Sequence, residues 1–371
     1  GIGVLRRRLC EELRKSGVDA AAVLDNANLR YLTGGSIDYS AALVLIEGDA
    51  CRYVLVTHVL EGERVEEALR YRPDEVFLYS TYPIESDRQY MLVNSVAEAL
   101  DRVATRYLDP EKATLGIPAS WTRASDSNLL SRRWRVRDIS AAFMRSRIVK
   151  EADEIELIRQ AGEILCRGLS VAEELVRPGV REVDVAAEIA SEVMRRGGYL
   201  GTYPIVASGP RSALPHGRAS TRTIGRGELV VVDLVVGFQG YFVDATLTLG
   251  TEPLPSEPRR LLTVAREAQK HALEMLKPGV RAGDVDSAAR RLIEMRGYGR
   301  FFPHSTGHGV GVEVHEPPRL APGNSEVLEA GYVVTVEPGV YIGGKGGARF
   351  ESTVVLTPKG FEVLTPCTKP G

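Results

Sequence analysis

Short apolar runs alternate with amphipathic stretches over the first 140 residues or so of the chain. Asp19–Leu24, Ala41–Ile46, Tyr53–Thr57, Glu75–Tyr79 and Trp134–Ile139 read as strands. Val4–Lys15, Glu61–Tyr71, Arg88–Val103 and Ser125–Trp134 carry helical spacing. Such alternation predicts an α/β layered domain. No glycine pattern for cradling a phosphate opens any of these helices, so nucleotide binding is not indicated. His58 ends an apolar strand and reads as a structural histidine.

A long charged helix, Lys150–Ala172, opens the second half, and beyond it the sequence repeats itself. Arg177-Pro-Gly-Val-Arg-Glu-Val-Asp184 returns as Lys277-Pro-Gly-Val-Arg-Ala-Gly-Asp284, and Gly227-Glu-Leu-Val-Val-Val-Asp233 returns as Gly331-Tyr-Val-Val-Thr-Val-Glu337. Each copy runs helix, helix, loop, strand, hairpin. Two copies predict a closed, duplicated domain about a pseudo-two-fold axis, not a solenoid. The expected division is therefore 1–145 and 146–371.

Composition narrows the function. The 371 residues exceed one ordinary core, and 44% hydrophobic with 26% charged residues is a globular balance. A formal net charge of -2 argues against nucleic acid or an anionic membrane as the main partner. No apolar run reaches the roughly 20 residues of a membrane-spanning helix. The opening Gly1 to Leu5, followed by three arginines, shows no signal-peptide apolar core, and the expected address is the cytoplasm. Cys10, Cys51, Cys166 and Cys367 have no ligand spacing and are expected to be reduced thiols.

Carboxylates are depleted in strands, yet both copies place one at the end of a valine-rich strand. If Phe238-Gln239 form a two-residue turn, Asp233 and Asp244 lie directly opposite across the first hairpin. Like charges so placed destabilise a hairpin unless a cation lies between them, and neither strand offers Arg or Lys nearby. Glu337 and Glu351 flank a longer loop centred on Gly344 and are expected to be near cross-strand neighbours. Four of the six histidines, His216, His304, His308 and His315, fall in the loop segments of the two copies, and His308 stands between glycines. Four carboxylates and an imidazole form a hard, oxygen-rich set, large enough for two divalent ions. Two such ions make hydroxide available at neutral pH and polarise a carbonyl, so the expected chemistry is metal-assisted hydrolysis. HExxH, GxSxG and papain-like contexts are all missing, which argues against zincin and nucleophilic chemistry.

These motifs resemble the pita-bread metallopeptidases of the prolidase and aminopeptidase P type. The resemblance rests on Asn26–Gly34 in the first half. In the second it rests on Leu214-Pro-His216, Gly240-Tyr-Phe-Val-Asp244-Ala-Thr246, Thr306-Gly-His-Gly-Val-Gly311, Val314-His-Glu-Pro-Pro318, Val336-Glu-Pro-Gly339 and Arg349-Phe-Glu351. It implies an N-terminal α/β creatinase-like domain before a catalytic pita-bread domain. It implies five metal ligands, Asp233, Asp244, His308, Glu337 and Glu351, with Asp244 and Glu351 bridging two ions of Mn, Co, Fe or Zn. His216 and His315 are implied to meet the substrate carbonyl, and Arg349 to meet the free carboxylate of a dipeptide or else to pair with a neighbouring acid. Leu247 and Ser352 depart from the usual Arg and Asp, which bears on the support around the ligands.

The expected function is a cytoplasmic, homodimeric Xaa-Pro dipeptidase acting on small peptides through a bridging hydroxide, with Glu337 shuttling a proton to the proline nitrogen. Xaa-Pro aminopeptidase is the alternative. A creatinase-like hydrolase or a non-catalytic peptide-binding relative would be expected to have lost ligands that this chain keeps.

Overall fold

The alternating runs of the first half close into a seven-stranded mixed sheet. In chain order its strands are β1 (Ala20–Val23), β2 (Ser40–Glu47), β3 (Ala50–His58), β4 (Glu75–Ser80), β5 (Met91–Leu92), β6 (Thr114–Ile117) and β7 (Arg135–Asp138). They lie side by side as β5-β4-β3-β2-β1-β6-β7. β1, β2 and β3 pair antiparallel and the outer strands parallel. Leu43, Val54 and Val56 from the sheet pack with Leu100 and Val103 into one core. The computed structural model describes residues 6–371 and forms two units, one ending at Arg147 and the other spanning Ile148–Gly371. The readings at Gly1 to Leu5, including the start of the first helix, lie outside the described residues.

Two helices of this unit are shorter than their apolar spacing predicts. The helix expected from Arg88 begins at Val96, where the Ser95 hydroxyl accepts from the Glu98 amide and sets the start, and the residues before it supply β5. Glu61–Tyr71 breaks into a 3₁₀ turn and the short helix Val65–Ala68. His58 is buried, its Nδ1 accepting from the Leu60 amide, with Tyr79 and Tyr82 against its ring.

The second unit bears the marks of duplication in its backbone. Helices Ala152–Leu175 and Glu182–Arg195 are matched by Ser256–Met275 and Ala282–Met295. Gly179 and Gly279, both at φ 94°, donate to Ile224 O and Leu328 O at 2.9 and 2.8 Å. The strands are β8 (Tyr199–Leu200), β9 (Ile205–Ser208), β10 (Leu229–Phe238), β11 (Tyr241–Gly250), β12 (Gly307–Gly309), β13 (Glu316–Leu320), β14 (Val333–Val336), β15 (Gly339–Ile342), β16 (Gly346–Arg349), β17 (Ser352–Thr357) and β18 (Gly360–Val363). β10 pairs with β8, β9 and β11, while β13-β12-β14-β17-β18 form a second sheet and β15-β16 a small ribbon.

The first hairpin corrects one expectation. Its turn is Gln239-Gly240, both at positive φ, and not Phe238-Gln239. The register therefore moves by two: Asp233 faces Thr246, and Asp244 faces Val235. A shift of two keeps every side chain on its face, so both acids still point the same way and meet on the diagonal. In the second hairpin, Val336 faces Ser352 and Gly339 faces Arg349, which places Glu337 and Glu351 at the same level between two ladders.

The cysteines correct another. Cys10 is bonded to Cys51 and Cys166 to Cys367, so none of the four is a free thiol. The partners stand 41 and 201 residues apart, and nothing in local spacing could join them. Packing of one helix on a strand, and of another on the chain end, brings them together.

Candidate metal centre

Strand alternation builds the site. Asp244, His308, Glu337 and Glu351 each offer a ligand atom, and these atoms all lie within 4.8 Å of one another. Asp244 projects from the middle of β11, His308 from β12, and the two glutamates from the junctions at the ends of β14 and β17. Gly307 and Gly309 are dictated by backbone approach: a Cβ would stand 1.8 Å from Thr335 O at the first and 2.2 Å from Pro317 O at the second.

The His308 ring is fixed by its Nδ1, 2.8 Å from Gly309 O, which leaves Nε2 turned toward the acids. That Nε2 lies 3.2 Å from Glu337 Oε2, 3.5 Å from Asp244 Oδ2 and 3.9 Å from Glu351 Oε2. Nevertheless Asp244 Oδ1, His308 Nε2 and Glu351 Oε2 are buried with no hydrogen-bond partner among the described residues. Buried polar atoms are rarely left so, and three converging on one point form a donor set that fits a divalent cation.

The electrostatics point the same way. Burial and the charge of Asp244 hold the Glu351 carboxyl well above its usual pKa. Asp233 is also pushed well up, by burial and Asp244, against the pull of Arg349. Glu337 goes down despite its burial, because Glu351 and His308 stabilise its charge. Burial lowers His308, but Asp244 and Glu337 outweigh it and leave the imidazole well above its ordinary value. A cluster that cannot all ionise unaided needs a cation to do so.

Asp233 sits beside this group, with Oδ2 2.9 Å from an Arg349 guanidinium nitrogen. Arg349 is 2% exposed; its donors also reach Tyr341 Oη at 2.6 Å and Pro215 O at 3.1 Å. Burial pushes the Tyr341 hydroxyl up to about 12, so it stays protonated, and its oxygen lies 2.8 Å from His304 Nε2.

A cavity of about 870 Å³ opens above the acids, lined among others by His216, His304, His308, His315, Arg319 and Arg349. His216 and His315 are exposed to it, and the His308 and His315 rings stand 4.3 Å apart. Burial and His308 lower the His315 pKa, favouring its neutral form. The structure thus gathers Asp244, His308, Glu337 and Glu351 at one point and sets His216, His304, His315, Asp233 and Arg349 along the cavity, with Asp233 turned to Arg349.

Sequence reasoning passed over Tyr341, Arg319 and the threonines behind the acids. Thr246 Oγ1 donates to Glu351 Oε1 at 2.9 Å, and Thr335 Oγ1 to Glu337 Oε2 at 2.9 Å. Both threonines stand two residues from an acid, at Asp244 and Glu337, so period-two spacing alone could have found them.

Residues 156–358 match metallopeptidase family M24, and residues 6–149 match the creatinase/prolidase N-terminal domain. The chain is 33% identical to the Xaa-Pro dipeptidase of Pyrococcus horikoshii over 97% of its own length and 96% of that protein. Among solved structures it is similar to the prolidase from Pyrococcus furiosus, with TM-score 0.81 and 33% identity over 96% of this chain and 98% of that one. It is also similar to the X-Pro aminopeptidase from Thermotoga maritima, with TM-score 0.81 and 31% identity over 96% and 97% of the two chains.

Proposed function

The chain belongs to metallopeptidase family M24, and on that premise we propose that it is an Xaa-Pro dipeptidase holding two divalent ions, of Mn, Co, Fe or Zn, on Asp233, Asp244, His308, Glu337 and Glu351. The observation that carries this is the group of four converging donors, three with unpartnered buried atoms, under a cavity walled by histidines. Ions bound there supply hydroxide at neutral pH and polarise the scissile carbonyl.

The chain's own groups do the rest. His315 and His216 face the cavity where the carbonyl oxygen gains charge, and a ring N–H from either stabilises it. Glu337, at the cavity floor, carries a proton to the proline nitrogen as that bond breaks. Arg349 donates through its two terminal nitrogens to Asp233, Tyr341 and Pro215 and so orients a ligand; Arg319, exposed on the cavity wall, is the cation placed to meet a dipeptide's carboxylate.

Xaa-Pro aminopeptidase is the second reading, because the X-Pro aminopeptidase from Thermotoga maritima resembles this chain almost as closely as the Pyrococcus furiosus prolidase does. A creatinase-like or non-catalytic role is disfavoured by the presence of every expected ligand. No helix among the described residues is long and apolar enough to cross a membrane. The proposed address is the cytoplasm, since disulfides also persist inside cells of hyperthermophiles, and the proposed assembly is a homodimer. The test is kinetic: Xaa-Pro dipeptides and Xaa-Pro-Yaa tripeptides, with enzyme stripped by chelator and reloaded with Mn²⁺. Preference for dipeptides and activity only after reloading are expected; preference for tripeptides makes the enzyme an aminopeptidase.

A further inference from the structure

Residues 365–368 are packed directly behind Asp244 and Glu351, two of the proposed metal ligands. Thr353 lies two residues after Glu351, and its hydroxyl donates to Asp244 O at 2.6 Å while accepting from the Asp244 amide at 3.1 Å. Thr246 and Glu351 exchange backbone hydrogen bonds of 3.2 and 3.0 Å beside it. One threonine side chain thus ties the Asp244 backbone to the strand that follows Glu351.

Behind that strand stands the 3₁₀ turn Pro366–Thr368. The Thr353 amide donates to Thr365 Oγ1 at 3.1 Å, and Thr365 Oγ1 and Thr368 Oγ1 are 2.9 Å apart. Ser352 Oγ lies 2.8 Å from Thr368 Oγ1 and accepts from Gln269 Nε2 at 3.0 Å. Ser352, Thr353, Thr365, Thr368 and Gln269 are all 0% exposed. Ser352 is therefore hydrogen-bonded to this turn.

A three-residue 3₁₀ turn holds itself poorly, since short turns of this kind have weak hydrogen bonds. Here helix Ala152–Leu175 holds it. A Cβ at Gly162 would stand 1.9 Å from Leu364 O, so the missing side chain lets the helix lie against the chain end. One helical turn later, Cys166 is bonded to Cys367 in the middle of the 3₁₀ turn.

We infer that Thr365–Thr368, fixed by the Cys166–Cys367 bond, is a positioning element of the metal centre: through Thr353 and Ser352 it sets the separation of Asp244 and Glu351, and cutting the bond weakens metal binding. This rests on the reading of those two acids as ligands. Cys10–Cys51 supplies an internal control, because it lies wholly in the first unit.

The experiment titrates Mn²⁺ into metal-free wild type, a Cys166→Ser/Cys367→Ser variant and a Cys10→Ser/Cys51→Ser variant by calorimetry, with the melting temperature of each measured alongside. Cys166→Ser/Cys367→Ser is expected to lose about tenfold in Mn²⁺ affinity, the usual weight of a residue that supports a ligand. Cys10→Ser/Cys51→Ser should keep wild-type affinity even where its melting temperature falls as far. Thr365→Val, which leaves both disulfides in place, should lose roughly threefold, the weight of one neutral hydrogen bond, and serves if the cysteine variant does not fold. Wild-type affinity in both Cys166→Ser/Cys367→Ser and Thr365→Val overturns the inference, as does an equal loss in the two cysteine variants. A wild type that binds none of Mn²⁺, Co²⁺, Fe²⁺ and Zn²⁺ overturns the metal reading and this one with it, whereas metal binding unchanged by the variants overturns this one alone.

Discussion

In the first copy of the repeat, two carboxylates come from a single ten-rung hairpin closed by a two-residue turn. In the second, His308, Glu337 and Glu351 come from three short strands and the junctions between them. The first copy is regular and almost all apolar, with Asp244 on a strand whose neighbours are fully buried. The second is broken by glycines, by a register shift after His308 and by the jump from one sheet to the small ribbon. Duplication thus supplied two equivalent strands bearing acids, and irregularity in one copy made room for the imidazole and for the cavity wall. The first copy's Asp233 depends on the second copy's Arg349 for its partner, so neither half makes a site alone.

Removing an acid from either copy should break the comparison most strongly. Asp244→Ala and Glu351→Ala are each expected to abolish metal occupancy and lower kcat/KM by several orders of magnitude. Both variants should stay folded, since each loses a buried like charge. Elemental analysis, circular dichroism and turnover on one preparation check this. Full activity in thoroughly stripped wild type would end the metal reading.

The histidines of the second copy should separate into two kinds. His308→Ala is expected to lose metal affinity, having Nε2 among the acids. His315→Ala is expected to keep the metal and lose kcat by about two to three decades, as for a lost oxyanion donor. Calorimetric Mn²⁺ titration beside steady-state kinetics tests the division, and equal metal loss in both would show that the roles are wrongly assigned.

The two arginines sharpen the contrast between ligand support and substrate reading. Arg319→Ala should lower dipeptide efficiency by about one to two decades and spare tripeptides, as expected for a lost charge-assisted pair. Arg349→Ala should hurt both substrates alike and weaken metal binding through Asp233. If dipeptides alone suffer from Arg349→Ala, then Arg349 meets the carboxylate as its motif suggests. Arg349→Lys should recover only part of either effect, since an ammonium cannot form the planar fork.

The smallest expected effect is on stability against pH. Without metal, Glu351 and Asp233 have folded pKa values raised above their unfolded values near about 4. The stability they contribute is fully present below those unfolded values and is lost as pH rises through the folded ones. The chelated protein therefore gains on the loaded one as pH falls, while protons also compete with the metal. The gap in melting temperature between Mn²⁺-loaded and chelated protein should narrow by a few degrees from about pH 7.5 to about pH 5.5. A gap independent of pH would place the ionisation elsewhere.

Much of this was legible in the chain because its signals are local or periodic. The repeat, the strands and the acids at their ends are statements about neighbours in sequence, and the α/β first half follows from alternation of apolar runs. The second hairpin's register was readable because its loop is symmetric about Gly344. The first differs by two from its expected register because either Phe238-Gln239 or Gln239-Gly240 fits the turn, and Gly240 at φ 90° decides for the latter. The error cost nothing in face, since a strand repeats every two residues.

Other features depend on contacts between segments far apart in the chain. Arg349 became Asp233's partner only when strands 116 residues apart were brought together. Cys166 met Cys367 across 201 residues because Gly162 lets a helix lie against the chain end. Sequence by itself determined which chemistry this protein carries, because ligand types and strand faces are written locally. Tertiary structure alone decided which charges are paired, which thiols are bonded and which atoms are left for a metal, because each depends on distances that packing sets.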